Sequence, residues 1–167
     1  MAPEETGFAY YDESPDSMLA ALDQLAEYVD EEGPFDGVMA FCHGAALAAE
    51  FIIQRYQQDP EDEPPFKCAI FLSAGLPSNP AELAQGRMRL LNIVTDGEII
   101  RLPTAHIWGT NDPVYDICEN VSKLCNSNMK SVFIHDGIHE VPGYGAKEAL
   151  AGSVKMIRRT VDRGLSA

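Results

Sequence analysis

The sequence predicts an α/β protein with a mostly parallel sheet of about four strands and helices on both faces. Three observations predict it. Short apolar runs of strand length alternate with longer stretches of helical periodicity. Their order is helix, strand, helix, strand, a long irregular segment, strand, helix, strand, helix, as in parallel sheets closed by crossovers. The apolar runs show little polar alternation, as in strands covered on both sides. With 167 residues and 46% hydrophobic content, the chain is expected to fold as a single domain over residues 1–167.

Each element has its own signal. Residues 1–13 are a polar lead holding the aromatic run Phe8, Ala9, Tyr10 and Tyr11. Ser14, Pro15 and Asp16 start a helix: a cap, a proline at the first position and an acid in the first turn. Met18, Leu22, Leu25 and Val29 share one face of it, and Gly33 and Pro34 end it. Residues 35–41 read as a strand, apolar on both faces. Residues 43–58 read as a helix, and its run of Ala45, Ala46, Leu47, Ala48 and Ala49 suits tight packing on a sheet. Residues 59–65 are an acidic, proline-containing loop, and 67–72 a second buried strand. Residues 73–101 are irregular, with weak helical character over 81–91, and are expected to act as a lid. Strands are expected at 104–108 and 130–135. A helix follows the turn at 109–113, with Ile117, Val121 and Leu124 on one face. The closing helix, from 146 to about 163, places Leu150, Val154, Ile157 and Val161 at helical spacing.

The formal net charge is −14, and no Lys or Arg precedes Arg55. Such a field repels nucleic-acid backbones and anionic lipid, so neither a nucleic acid nor a membrane surface is expected as a partner. No apolar run reaches the length of a membrane span, and the acidic N-terminus lacks the features of a secretory signal, so a cytoplasmic location is expected. The four cysteines, Cys42, Cys68, Cys118 and Cys125, form no C-x-x-C pair. A metal site is therefore not expected, nor is a cofactor, and Cys68, Cys118 and Cys125 read as buried free thiols.

Chemistry concentrates at residues 40–44, Ala-Phe-Cys-His-Gly, where an apolar strand turns into an apolar helix. A nucleophile flanked by small residues on a strand–helix turn describes the nucleophile elbow of α/β-hydrolases, usually G-x-S-x-G. Here the pattern is A-x-C-x-G, with Cys42 in the place of serine and Ala40 in the place of the first glycine. In that fold the acid and then the histidine follow the nucleophile along the chain, in loops at the carboxyl edge of the sheet. Asp112 follows the third strand and His139 the fourth, which makes Cys42, Asp112 and His139 the candidate catalytic residues. Asp112 before Pro113 also reads as a helix cap. His135, which ends a strand, is the competing histidine, and His106 reads as a core residue. The backbone N–H of His43, directly after the nucleophile, is the candidate oxyanion donor.

These stretches resemble the fungal serine hydrolase family, the FSH-type α/β-hydrolases. The match lies in residues 37–49 (GVMAFCHGAALAA), 71–75 (FLSAG), 106–114 (HIWGTNDPV) and 135–142 (HDGIHEVP), and runs from about residue 8 to 160. Family members usually carry G-F-S-Q-G at the elbow. By position the resemblance implies Cys42 as nucleophile, Asp112 as acid and His139 as base. It also implies an opening strand and a His-Gly-type loop that supplies a second oxyanion donor. This sequence is expected to begin after that loop, as a truncated α/β-hydrolase. Residues 35–41 are then expected to form an exposed apolar edge, covered either by residues 8–11 or by a second subunit in a homodimer.

The expected function is an acyl hydrolase or acyltransferase of thioesterase, lactonase or esterase type, using a Cys-His-Asp triad on a small-molecule acyl substrate. The resemblance implies a polyketide-like or other secondary-metabolite substrate. Two alternatives remain open on the residues. One is a hydrolase-derived lyase, isomerase or cyclase in which Cys42 and His139 act as acid and base. The other is a catalytically weak binding or partner protein. Dienelactone hydrolases, with G-x-C-x-G at the elbow, are a related resemblance in which cysteine at this position hydrolyses.

Overall fold

A computed structural model describes residues 9–167. Helix α1 (Pro15–Glu32) begins where the Ser14 hydroxyl accepts the Ser17 N–H at 3.3 Å and Pro15 fills the first turn. Strand β1 (Gly37–Phe41) runs into helix α2 (His43–Gln58). Strand β2 (Cys68–Leu72) is followed by two short helical turns, α3 (Pro80–Leu83) and α4 (Ile93–Asp96). Strand β3 (Thr104–Gly109), helix α5 (Tyr115–Lys123), strand β4 (Lys130–His135) and helix α6 (Lys147–Leu165) complete the chain.

The four strands form one parallel sheet in the order β1-β2-β3-β4, so each strand pairs with its neighbour in sequence. Met39 pairs with Ile70, Phe71 with His106, and Ile107 with Phe133. Every residue of β2 and β3 is buried, as expected of central parallel strands with helices on both faces. On one face α1, α2 and α5 enclose a core containing Leu22, Phe51, Ile52, Phe71, Val121 and Leu124. On the other, Ile157 and Met156 of α6 cover Ile70, Leu72, Ala105 and Ile107. Full burial of a Phe or Ile side chain contributes about 1.5–3 kcal/mol, so these two layers clamp the sheet from both sides. The alanines at 45, 46, 48 and 49 are all buried, which lets α2 approach the sheet closely.

Four expectations are corrected. Strand β1 is the exposed apolar edge expected of residues 35–41, so the reading of its apolar pattern as cover on both sides is corrected. It is an edge strand, and Met39 (57%) and Phe41 (38%) stay exposed because α6 packs over β2 to β4 and stops short of it. Its apolar pattern reports what the strand offers for packing, while coverage depends on how many strands flank it. Of residues 8–11, Phe8 lies outside the described residues. Tyr10 and Tyr11 do not cover that edge and pack instead at the start of α2, against His43. The weak helical character over 81–91 does not give a helix. α3 ends after Leu83, Gly86 takes a left-handed φ of 73°, and Leu90 makes an antiparallel bridge to Ser78. The segment 76–101 is not a loose lid either, because Leu83, Leu91 and Ile100 are fully buried in the main core.

Candidate active site

The elbow is built by backbone geometry. Cys42 occupies the cap position of α2 with φ 51° and ψ −117°, a conformation that L-residues rarely adopt and that costs on the order of 1–3 kcal/mol. Hydrogen bonds on either side hold it there. Its N–H donates to the Leu72 carbonyl at 2.9 Å, and its carbonyl accepts from Gly75 at 3.0 Å and Ala45 at 3.1 Å. Ser73, at the matching end of β2, is the only other described non-glycine residue with positive φ (43°). The thiol of Cys42 is half-buried and makes no hydrogen bond among the described residues, and the N–H groups of His43 and Gly44 likewise have no partner there. Two helix-start N–H groups thus stand open at the elbow, and that of His43, directly after the thiol, is the candidate oxyanion donor.

Asp112 and His139 are brought together. His139 Nδ1 lies 3.0 Å from each carboxylate oxygen of Asp112. Asp112 is buried, and its Oδ1 also accepts the Val114 N–H at 2.9 Å. Burial alone would raise its pKa. Hydrogen bonds from Val114 and His139 reverse this, aided by the Ser73 hydroxyl, which stands close without reaching hydrogen-bond geometry, and hold the carboxyl below the usual range. An ionised Asp112 fixes Nδ1 of His139 as the donor and leaves Nε2 as the free nitrogen.

The two loops carrying this pair are laced together. Asn111 N–H donates to the Gly137 carbonyl at 3.0 Å, its side-chain amide to the Asp136 carbonyl at 3.2 Å, and Thr110 N–H to the His135 carbonyl at 2.7 Å. A Cβ on Gly109 would collide with the carbonyl oxygens of Gly137 and Ile138, so only glycine lets the histidine loop pass over the end of β3. The loop then crosses the sheet toward the elbow. Strands β1 and β4 are three strand spacings apart, about 14 Å. Yet the His139 ring reaches the ring of Phe41, with centroids 4.9 Å apart. Phe41 directly precedes Cys42, but among the described residues the only side-chain hydrogen bonds of His139 go to Asp112, and none joins it to the Cys42 thiol.

The other histidines stand apart from this pair. His106 is buried in β3 against Thr104 Oγ1 at 3.0 Å, and burial drives its pKa down to about 3, so it is a neutral core residue. His135 is buried and accepts the Gly137 N–H on Nδ1. Cys68, Cys118 and Cys125 are buried free thiols, and burial pushes both Cys118 and Cys125 up to about 12. Among the described residues no group of three or more His, Cys, Asp or Glu side chains is placed to hold a metal ion, and no helix is long and apolar enough to cross a membrane. A concavity of about 400 Å³ lined by Val29, Arg55, Tyr56 and Asp59 lies at the amino edge of the sheet and contains none of the site residues.

Sequence reasoning missed the support around the site. Phe41 as the seat of His139 and the two tyrosines on His43 are contacts between distant segments, marked in the sequence only by aromatic residues near the elbow. Glu50, buried on α2 inside the run Ala-Glu-Phe-Ile-Ile, was legible as a carboxyl in an apolar stretch.

The family model for serine hydrolase (FSH1) matches residues 3–148. This chain belongs to that family. It is 41% identical over 141 residues to "Esterase FPY3" of Fusarium mangiferae, covering 83% of this chain and 63% of that protein. It is 30% identical over 129 residues to "Hydrolase phiM" of a fungal species, strain ATCC 74256, covering 77% and 61%. The chain thus spans about three fifths of the length of these curated relatives. Among solved structures it is similar to acyl-protein thioesterase 2 of Zea mays, with TM-score 0.57, 18% identity and coverage of 92% of this chain and 72% of that one. A carboxylesterase from Mesorhizobium loti gives TM-score 0.56, 18% identity and coverage of 89% and 69%. These structural likenesses establish the α/β-hydrolase fold.

Proposed function

We propose that this family member is an acyl hydrolase or acyltransferase working through a Cys42–His139–Asp112 triad on ester or thioester substrates. One observation carries the reading. Asp112 and His139 are hydrogen-bonded, and the imidazole packs on Phe41, the residue before Cys42, whose backbone holds a strained strand–helix turn. The esterase and hydrolase names of the relatives support the reaction class.

In this reading the steps are as follows. His139 Nε2 takes the thiol proton, while Asp112 holds the imidazole in the required tautomer and stabilises the imidazolium. The Cys42 sulfur bonds to the acyl carbon, and the negative charge that develops on the carbonyl oxygen is met by the His43 N–H. Collapse breaks the bond to the leaving group, to which His139 returns the proton. A water, deprotonated by His139, then attacks the Cys42 thioester and releases the acid and the free thiol. Another nucleophile in place of that water makes the same site a transferase. A small acyl metabolite is the substrate class proposed for it.

The test is turnover of an activated short-chain thioester by the wild type, Cys42→Ala and His139→Ala. Loss of turnover in both variants, with unchanged melting, is expected. Full turnover in Cys42→Ala overturns the proposal.

A further inference from the structure

The start of α2 has a second occupant. The Tyr10 ring lies over Gly44, two residues after Cys42. A Cβ on Gly44 would sit 3.2 Å from Tyr10 Cε2 and 3.5 Å from its hydroxyl oxygen. The same ring stands 6.1 Å from the His43 ring, centroid to centroid. Its neighbour Tyr11 anchors the segment: that ring packs 4.0 Å from His43 and joins the main core. Tyr11 is thus fixed, while Tyr10 is 67% exposed and its hydroxyl makes no hydrogen bond among the described residues. The open N–H groups of His43 and Gly44 are on the same helix end.

We propose that the Tyr10 hydroxyl is a further catalytic residue, donating a hydrogen bond to the substrate carbonyl oxygen beside the His43 N–H and so completing an oxyanion hole. The inference rests on the proposed acyl chemistry at Cys42. A phenol is chemically suited to this, since a tyrosine hydroxyl serves as an oxyanion donor in enolising enzymes. The absence of a side chain at Gly44 has a reason here: it lets the phenol sit directly on the helix start. No proton is transferred. The hydroxyl shares its hydrogen with the oxyanion as the tetrahedral adduct forms and relaxes when the adduct collapses. Because the bond strengthens as charge develops, its contribution falls on kcat more than on KM.

Tyr10→Phe keeps the ring over Gly44 and removes only the hydroxyl, with Tyr11→Phe as the control. On an activated thioester, Tyr10→Phe is expected to lower kcat roughly 10²-fold with KM nearly unchanged. Binding of a trifluoromethyl ketone, whose adduct with Cys42 carries an oxyanion, is expected to weaken by a similar factor. Tyr11→Phe is expected to leave both close to wild type. An unchanged kcat in Tyr10→Phe overturns the inference, as does a loss confined to KM or an equal loss in both variants. If Cys42→Ala keeps full turnover, the acyl reading fails first and Tyr10 falls with it. If Cys42→Ala is dead while Tyr10→Phe is fully active, only the role of Tyr10 is lost.

Discussion

Glu50 offers a prediction whose size follows from the structure. It lies on α2, the helix that begins at the elbow, and is fully buried. One carboxylate oxygen accepts the Ser78 N–H at 2.7 Å, and the other has no partner among the described residues. Burial raises its pKa from 4.5 to about 7, against the opposing hydrogen bond from Ser78. The folded state therefore binds a proton more tightly than the unfolded chain. The resulting stability is fully present below the unfolded pKa of 4.5 and is lost as pH rises through about 7. The difference between 4.5 and about 7 corresponds to about 3 kcal/mol. Glu50→Gln keeps the shape and the acceptor for Ser78 and removes the titration. The variant should match wild type near pH 4.5 and exceed it by about 3 kcal/mol at pH 8. In a chain of this size that raises Tm by roughly 6–12 °C. Paired thermal or urea unfolding at the two pH values measures the difference directly, and the other carboxylates cancel between the two proteins. A difference that does not change with pH, or a variant less stable than wild type at pH 8, refutes the reasoning.

Three further outcomes are expected. Gly109→Ala drives the histidine loop off the end of β3, because its Cβ collides with the Gly137 and Ile138 carbonyls, and turnover should fall about 10²-fold or more as His139 is displaced. Asp112→Asn removes the charge that orients His139, and kcat should drop by about 10²–10⁴, with crystallography showing the imidazole still near Phe41. Brief treatment of the native protein with iodoacetamide should alkylate Cys42 alone, since Cys68, Cys118 and Cys125 are 5%, 1% and 0% exposed. Peptide mapping that finds the label on any of those three contradicts the burial described above.

Local signals made much of the fold legible. The Ser14–Pro15 start of α1, the alanine run of α2 and the apolar blocks of β2 and β3 declare themselves within a few residues, because caps, small-residue packing and β-propensity are local physics. Asp112 and His139 were legible through chain order after successive strands, and the structure joins them by a hydrogen bond. What the sequence hid depends on distant partners. Whether Met39 and Phe41 are covered depends on the neighbours of β1, which its own pattern does not encode. The fold of residues 81–91 was decided by a left-handed glycine and a bridge to Ser78, not by helical spacing. The seat of His139 on Phe41 and of Tyr10 on Gly44 arises from loops that cross the carboxyl edge of the sheet.

The role of Cys42 as nucleophile is tested most directly by catching the acyl group on it. The protein is mixed with an excess of an activated thioester, quenched in acid within the first turnovers, and read by intact mass and peptide mapping. One acyl group on the peptide carrying Cys42 is predicted, reduced on His139→Ala and absent from Cys42→Ala. Continued turnover with no covalent adduct at any quench time, or an adduct on another residue that survives Cys42→Ala, would contradict the account.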